Sequence, residues 1–147
     1  MAIPGFIDFN TNGNTNSTTD NEFPNPVSIG GVQFYIPDGY ELVGSSNTNG
    51  AYMKSYANDD GDSFSITVYK SLSKSQVISN LKSGAAGLDI SNQDSSASYG
   101  SYSGFYGETV TDDGDEKFFV SSKGGKAFLI ESNAGFNFGE NVPKILG

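Results

Sequence analysis

Phe118-Phe119-Val120-Ser121-Ser122-Lys123-Gly124-Gly125-Lys126-Ala127-Phe128-Leu129-Ile130 is the stretch on which the fold turns. Two short, continuous apolar runs flank a Gly-Gly pair. A glycine pair between apolar runs is hairpin chemistry, because both central residues of the tightest turn take positive φ. Apolar runs that do not alternate with polar residues belong to strands covered on both faces. Lys123-Gly124-Gly125-Lys126 lacks the GxxxxGK[ST] spacing of a phosphate loop, so the turn reading stands alone.

Working outward, strands are expected near 100–110 and 88–97 on one side of this hairpin. On the other side, Phe64, Ile66 and Val68 alternate with Ser65 and Thr67, which predicts a strand over 63–69. A strand near 52–56 precedes it, and Val32, Phe34 and Ile36 alternate in a further short strand. Ser73 and Gln76 form a capping box for one helix at about 74–83. Val77, Ile78, Leu81 and Ala85 share its apolar face, and Gly84 is its expected stop. Asn141 is expected to cap a short closing helix carrying Val142, Ile145 and Leu146. The fold class is therefore α+β: a single antiparallel sheet of about six to seven strands, packed by one main helix and a short C-terminal helix.

Residues 10–26, rich in Asn and Thr, contain Phe23 as their one apolar side chain. Such a segment cannot offset its ordering entropy, so 1–26 reads as a flexible tether and 27–147 as one domain. A polar tether points to display outside the cell, with any export or anchor segment absent from this chain. Asn16-Ser17-Thr18 matches a glycosylation sequon within it. No run of 18 apolar residues is present to span a bilayer as a helix.

The chain has 147 residues and a net charge of −9, with no histidine, cysteine, tryptophan or arginine. The usual proton shuttle, thiolate nucleophile and bidentate anion clamp cannot be built from it. Its charge repels phosphate backbones and anionic headgroups, so no nucleic-acid partner is expected. No cofactor is expected either.

Gly31-Val32-Gln33-Phe34-Tyr35-Ile36-Pro37-Asp38-Gly39-Tyr40 resembles the opening of PsbP-like domains, a short strand ending in Pro-x-Gly and an aromatic. The order of elements over 30–147 is similar, although the closing helix is shorter than that fold has. PsbP-like domains include extrinsic photosystem subunits, and a nuclear-import factor that binds the GTPase Ran shares their fold. The resemblance implies that fold and a non-catalytic interaction role. It assigns no functional residue.

Two segments repeat Asp-Asp-Gly-Asp: 58–62, with Asp59, Asp60 and Asp62, and 111–116, with Asp112, Asp113 and Asp115. Clustered carboxylates in a glycine-bent loop are the donors a calcium ion takes, although neither segment has EF-hand spacing. Asp-Gly is equally the preferred hairpin turn, and these six residues are the candidate metal ligands only in that light. A carboxylate-only hydrolase would need a concave pocket holding two carboxyl groups, one with a raised pKa. Ser73, Lys74 and Ser75 sit where a helix start wants serine, not where a Ser-Lys dyad could face itself. The aromatic stretch Tyr99–Gly107 is expected to pack, its glycines letting the helix close on the sheet. The leading expectation is a non-enzymatic binding module for an unknown protein or surface polymer. The alternatives are a calcium-dependent surface module and, last, the hydrolase.

Overall fold

Nine strands and two helices make up the computed structural model, which describes residues 25–48, 50–82, 90–111 and 114–147. Residues 1–24 of the expected tether, its sequon at Asn16, the helix stop at Gly84 with Ala85, and Asp112 and Asp113 lie outside the described residues. No helix among the described residues is long and apolar enough to cross a membrane.

Strands β3 (Glu41–Thr48), β4 (Ala51–Ala57), β5 (Ser63–Tyr69), β6 (Ile90–Tyr99), β7 (Tyr102–Thr111), β8 (Gly114–Lys123) and β9 (Lys126–Ser132) form one seven-stranded antiparallel sheet. Its spatial order is β3-β4-β5-β9-β8-β7-β6. The hairpin that opened the sequence reading is its centre: Gly124 and Gly125 take φ of +62° and +81°, and Lys123 pairs with Lys126. Both edge strands are polar and irregular, with register shifts at Leu42/Gly44 in β3 and at Asp94 in β6, which disfavours edge-to-edge pairing.

The single-sheet expectation needs correction. β1 (Pro26–Ile29) and β2 (Val32–Tyr35) form a separate two-stranded hairpin, turned by Gly30 and Gly31, that lies on the large sheet. A Cβ at Gly30 would come within 2.9 Å of both Tyr52 and Val68, so glycine permits that close seat. α2 runs from Phe138 to Leu146, and its N-cap is Asn137, not Asn141. Asn137 Oδ1 accepts from the Glu140 N–H at 3.3 Å. α1 (Lys74–Lys82) begins as its capping box dictates: Ser73 Oγ accepts from the Gln76 N–H, and Gln76 Oε1 from the Ser73 N–H.

Alternation sorts the central strands between two layers. Phe64, Ile66, Val68, Phe119, Phe128 and Ile130 face the β1–β2 hairpin and α2, joined there by Phe34, Phe136, Phe138 and Ile145. Phe105, Phe118, Val120, Ala127 and Leu129 face the other way, against Val77 and Leu81 of α1. Phe118-Phe119-Val120 and Ala127–Ile130 are thus covered on both faces, as their lack of alternation requires. The aromatic stretch does pack: Tyr99 meets Phe119 and Phe138 at 4.7 and 5.7 Å between ring centroids, and Tyr106 meets Phe138 at 5.8 Å. Its glycines serve the neighbouring strands, however. A Cβ at Gly107 would stand 2.7 Å from both Phe118 and Ile90, and one at Gly104 1.9 Å from the Val120 carbonyl oxygen.

Candidate functional site

The strand directions bring the β4–β5 and β7–β8 connections to one end of the sheet, with β9 between them. Acids gather at this end: Asp38, Glu41, Asp59, Asp60, Asp62, Glu116 and Glu131. Lys70, Lys123 and Lys126 stand at the opposite end, and Lys123 Nζ rests 5.9 Å from the Phe34 ring centroid and 5.8 Å from that of Tyr102.

The first acidic turn is organised by its asparagine. Asn58 Oδ1 accepts from the Asp60 and Asp62 N–H groups, both at 2.9 Å, while its Nδ2 donates to Asp62 Oδ2 at 3.2 Å. Gly61 supplies φ of +88°. Asn133, just past β9, clamps the turn from below: Oδ1 takes the Ser63 N–H and Nδ2 reaches the Gly61 carbonyl. Asp62 is folded back over Gly135, where a Cβ would lie 2.5 Å from Oδ1. Asp59 and Asp60 remain exposed. Of the second turn, Asp115 stands in β8 opposite Val110. Among the described residues no group of three acidic side chains is close enough to share a metal ion.

Two concavities open at the acidic end. On the hairpin face, a hollow of about 620 Å³ is lined by Asp38, Tyr40, Glu41, Tyr56 and Asp59, with Val27 and Ile36 beneath. Burial, then the charges of Asp62 and Asp60, push the Tyr40 hydroxyl up from 10.0. On the α1 face, a smaller recess of about 110 Å³ is lined by Ser55, Ser63, Ser65, Glu116, Glu131 and Asn133. The register explains this group: Glu131 pairs with Ser65 and with Phe118, Ser55 pairs with Ser65, and Glu116 lies two residues from Phe118. Glu131 and Glu116 are diagonal neighbours, about 7–8 Å apart, whereas Ser55 lies two strands from Glu131 with Ser65 between them. Burial raises the Glu131 carboxyl above 4.5; Glu116 adds to the rise, and a hydrogen bond from Ser65 opposes it. Tyr69, further along the same face, is pushed up to about 12 by burial and by the Glu131 charge. Ser55, 2% exposed, has an Oγ with no hydrogen-bond partner among the described residues. Thr67 Oγ1 is in the same state one cross-strand step away.

The sequence reading did not single out Glu131, Glu116 or Ser55. One signal was present: Glu131 directly follows an apolar run covered on both faces, where a carboxylate must meet either a partner or a cavity. No family model, curated protein or solved structure matches the chain.

Proposed function

We propose that this domain is a non-enzymatic binding module whose contact surface is the acidic end of the sheet, and that its partner there is cationic. One observation carries the reading. Seven acids stand at one end of the sheet against Lys117 there, while Lys70, Lys123 and Lys126 stand at the other, so the molecule carries a directed charge, and the hollow of about 620 Å³ opens at the acidic end. Such a field steers a cationic partner to that end and raises its association rate. Tyr40, half-buried at the wider hollow, adds aromatic surface of the kind interfaces favour. Display outside the cell on the polar N-terminal tether and the PsbP-like assignment of the fold belong to the same proposal.

The test is titration of a lysine-rich peptide at several salt concentrations. Binding that weakens with salt, and weakens again in Asp59→Asn/Asp60→Asn, supports the reading. Salt-independent binding, or no binding, overturns it. Calcium is a control: a calcium-specific rise in Tm that magnesium does not give would replace a cationic partner by a metal ion.

A carboxylate hydrolase is the second reading, and the recess favours it. Glu131, with its raised pKa, would be the acid and Glu116 the base, the arrangement two-carboxylate hydrolysis uses. Glycan or ester turnover lost in both Glu131→Gln and Glu116→Gln would establish it.

A further inference from the structure

We propose that residues 3–9 of the chain's own N-terminal segment dock on the α1-side face of β3, β4 and β5, where they cover Met53, Ser55 and Thr67. The inference goes beyond the cationic-partner reading and does not rest on it, since the broad hollow opens on the other face of the sheet. It narrows the polar tether to residues 10–24.

This part of the sheet is buried, yet α1, the described helix on that side, packs on β8 and β9 instead. Met53 and Ser55 share the face on β4, with Thr67 opposite Met53 on β5 and Gly44 opposite Ser55 on β3. Met53, Ser55 and Thr67 are 7%, 2% and 4% exposed, and Gly44 is buried although β3 is an edge strand. Met53 nevertheless belongs to neither apolar cluster. Ser55 Oγ and Thr67 Oγ1 have no hydrogen-bond partner among the described residues. An outer sheet face is buried only under a second layer, so another part of the chain supplies one here.

The choice of segment follows from length, connection and composition. Residue 49 and residues 112–113 only join paired strands, and residues 83–89 lead from α1 to β6, at the far edge from β3. Residues 1–24 start with a different composition from the polar stretch that follows. Ile3, Phe6, Ile7 and Phe9 put four large apolar side chains into seven residues, whereas 10–26 hold Phe23 alone. Met53 is an adaptable apolar partner for them, and Gly44, with no Cβ, lets a ring approach β3. Asn25 stands beside Asp38 at the acidic end of the hairpin face. From there residues 10–24 reach about 50 Å when extended, while passing β3 and β4 takes about 10 Å at the usual strand spacing. Electrostatics agree. Burial is the main influence on the Glu131 carboxyl, and the next is the chain's amino-terminal charge, which lowers it.

The chain has two methionines and no cysteine, so the Met53 methyl and one introduced thiol are clean probes. The experiment is NMR of the full chain with isotope-labelled methionine methyls and a nitroxide attached at Asn10→Cys. The nitroxide is expected to broaden the Met53 methyl within one molecule, and to leave it sharp when only a second copy in the mixture carries the label. Phe6→Asp/Ile7→Asp is expected to abolish the broadening, to move the Met53 methyl signal, and to speed amide exchange in β3 about tenfold with exchange in β8 and β9 unchanged. A sharp Met53 methyl in the labelled chain, or a Met53 signal unmoved by the double substitution, would overturn the proposal. Broadening only between copies would assign the face to a second copy of the chain and overturn it equally. The nitroxide chain keeps residues 3–9 intact, so its result decides the question if the double variant fails to fold. Neither outcome alters the lysine-rich peptide titration, so the two readings stand or fall separately.

Discussion

The same central strands look onto two different interiors. On the hairpin face, Phe34, Phe64, Phe119, Phe128, Phe136 and Phe138 interlock, and the rings meet edge-on or tilted across two layers. On the α1 face the buried apolar cluster lies over β7, β8 and β9, against Val77 and Leu81, with Tyr69 of β5 and Ile90 of β6 packed at its margins. Over β4 and β5 that face changes to Ser55, Ser63, Ser65 and Thr67, with Glu131 at the junction. A face filled by rings and aliphatic side chains stabilises; a face that leaves hydroxyls unpaired and a carboxyl partly desolvated departs from the most stable choice, as binding sites do.

If that division is right, the largest loss of stability comes from the ring layer. Phe128→Ala, at a fully buried ring that meets Phe34, Phe119 and Tyr102, is expected to cost about 3–5 kcal/mol in urea unfolding. Leu81→Ala, on the α1 side, is expected to cost about 2 kcal/mol, the low end for a core leucine. Equal losses would erase the contrast between the faces.

A smaller effect, of opposite sign, is expected where hydroxyls are unpaired. Thr67→Val keeps the shape and removes the orphan oxygen, so it is expected to stabilise by about 1 kcal/mol, read as a higher urea midpoint at unchanged slope.

The pH dependence separates the faces by sign. Glu108, on the hairpin face, accepts from Tyr106 and Asn92, and its carboxyl is held below 4.5 by those bonds. Its contribution is present above the unfolded value and is lost as pH falls through the lower folded one. Glu131 is raised instead, with Glu116, Ser65 and Tyr69 as its polar neighbours. Between the unfolded and folded values the native state then holds more protons, so stability declines as pH rises through that window. Glu131→Gln is expected to flatten that decline and Tyr106→Phe to weaken the acid-side loss, both measured by thermal unfolding against pH.

Much of the fold was legible because local chemistry and tertiary packing agree. The alternation over 63–69, the Ser73–Gln76 box and the Gly124-Gly125 turn each fixed an element within a residue or two. Glu41–Thr48 was missed because an edge strand with a bulge at Leu42/Gly44 and a Ser-Ser-Asn-Thr tail has no apolar period. The true start of α2 was hidden by Gly139 and Pro143, both poor helix residues, and is held there by burial of Phe138. The site was harder still. Serines that alternate with Phe64 and Ile66 look like a solvent face, and only the pairing across β4, β5, β9 and β8 brings them to Glu131 and Glu116. The acidic turns, conspicuous in sequence, are accounted for at 58–62 by the Asn58 and Asn133 bonding.

Ser55→Ala tests the division between the two faces most directly, measured by urea unfolding. Stability unchanged or slightly raised, as removal of an unpaired buried hydroxyl requires, is the result this account expects. A stability loss above about 1 kcal/mol would show that the Ser55 hydroxyl serves the core, and would contradict it.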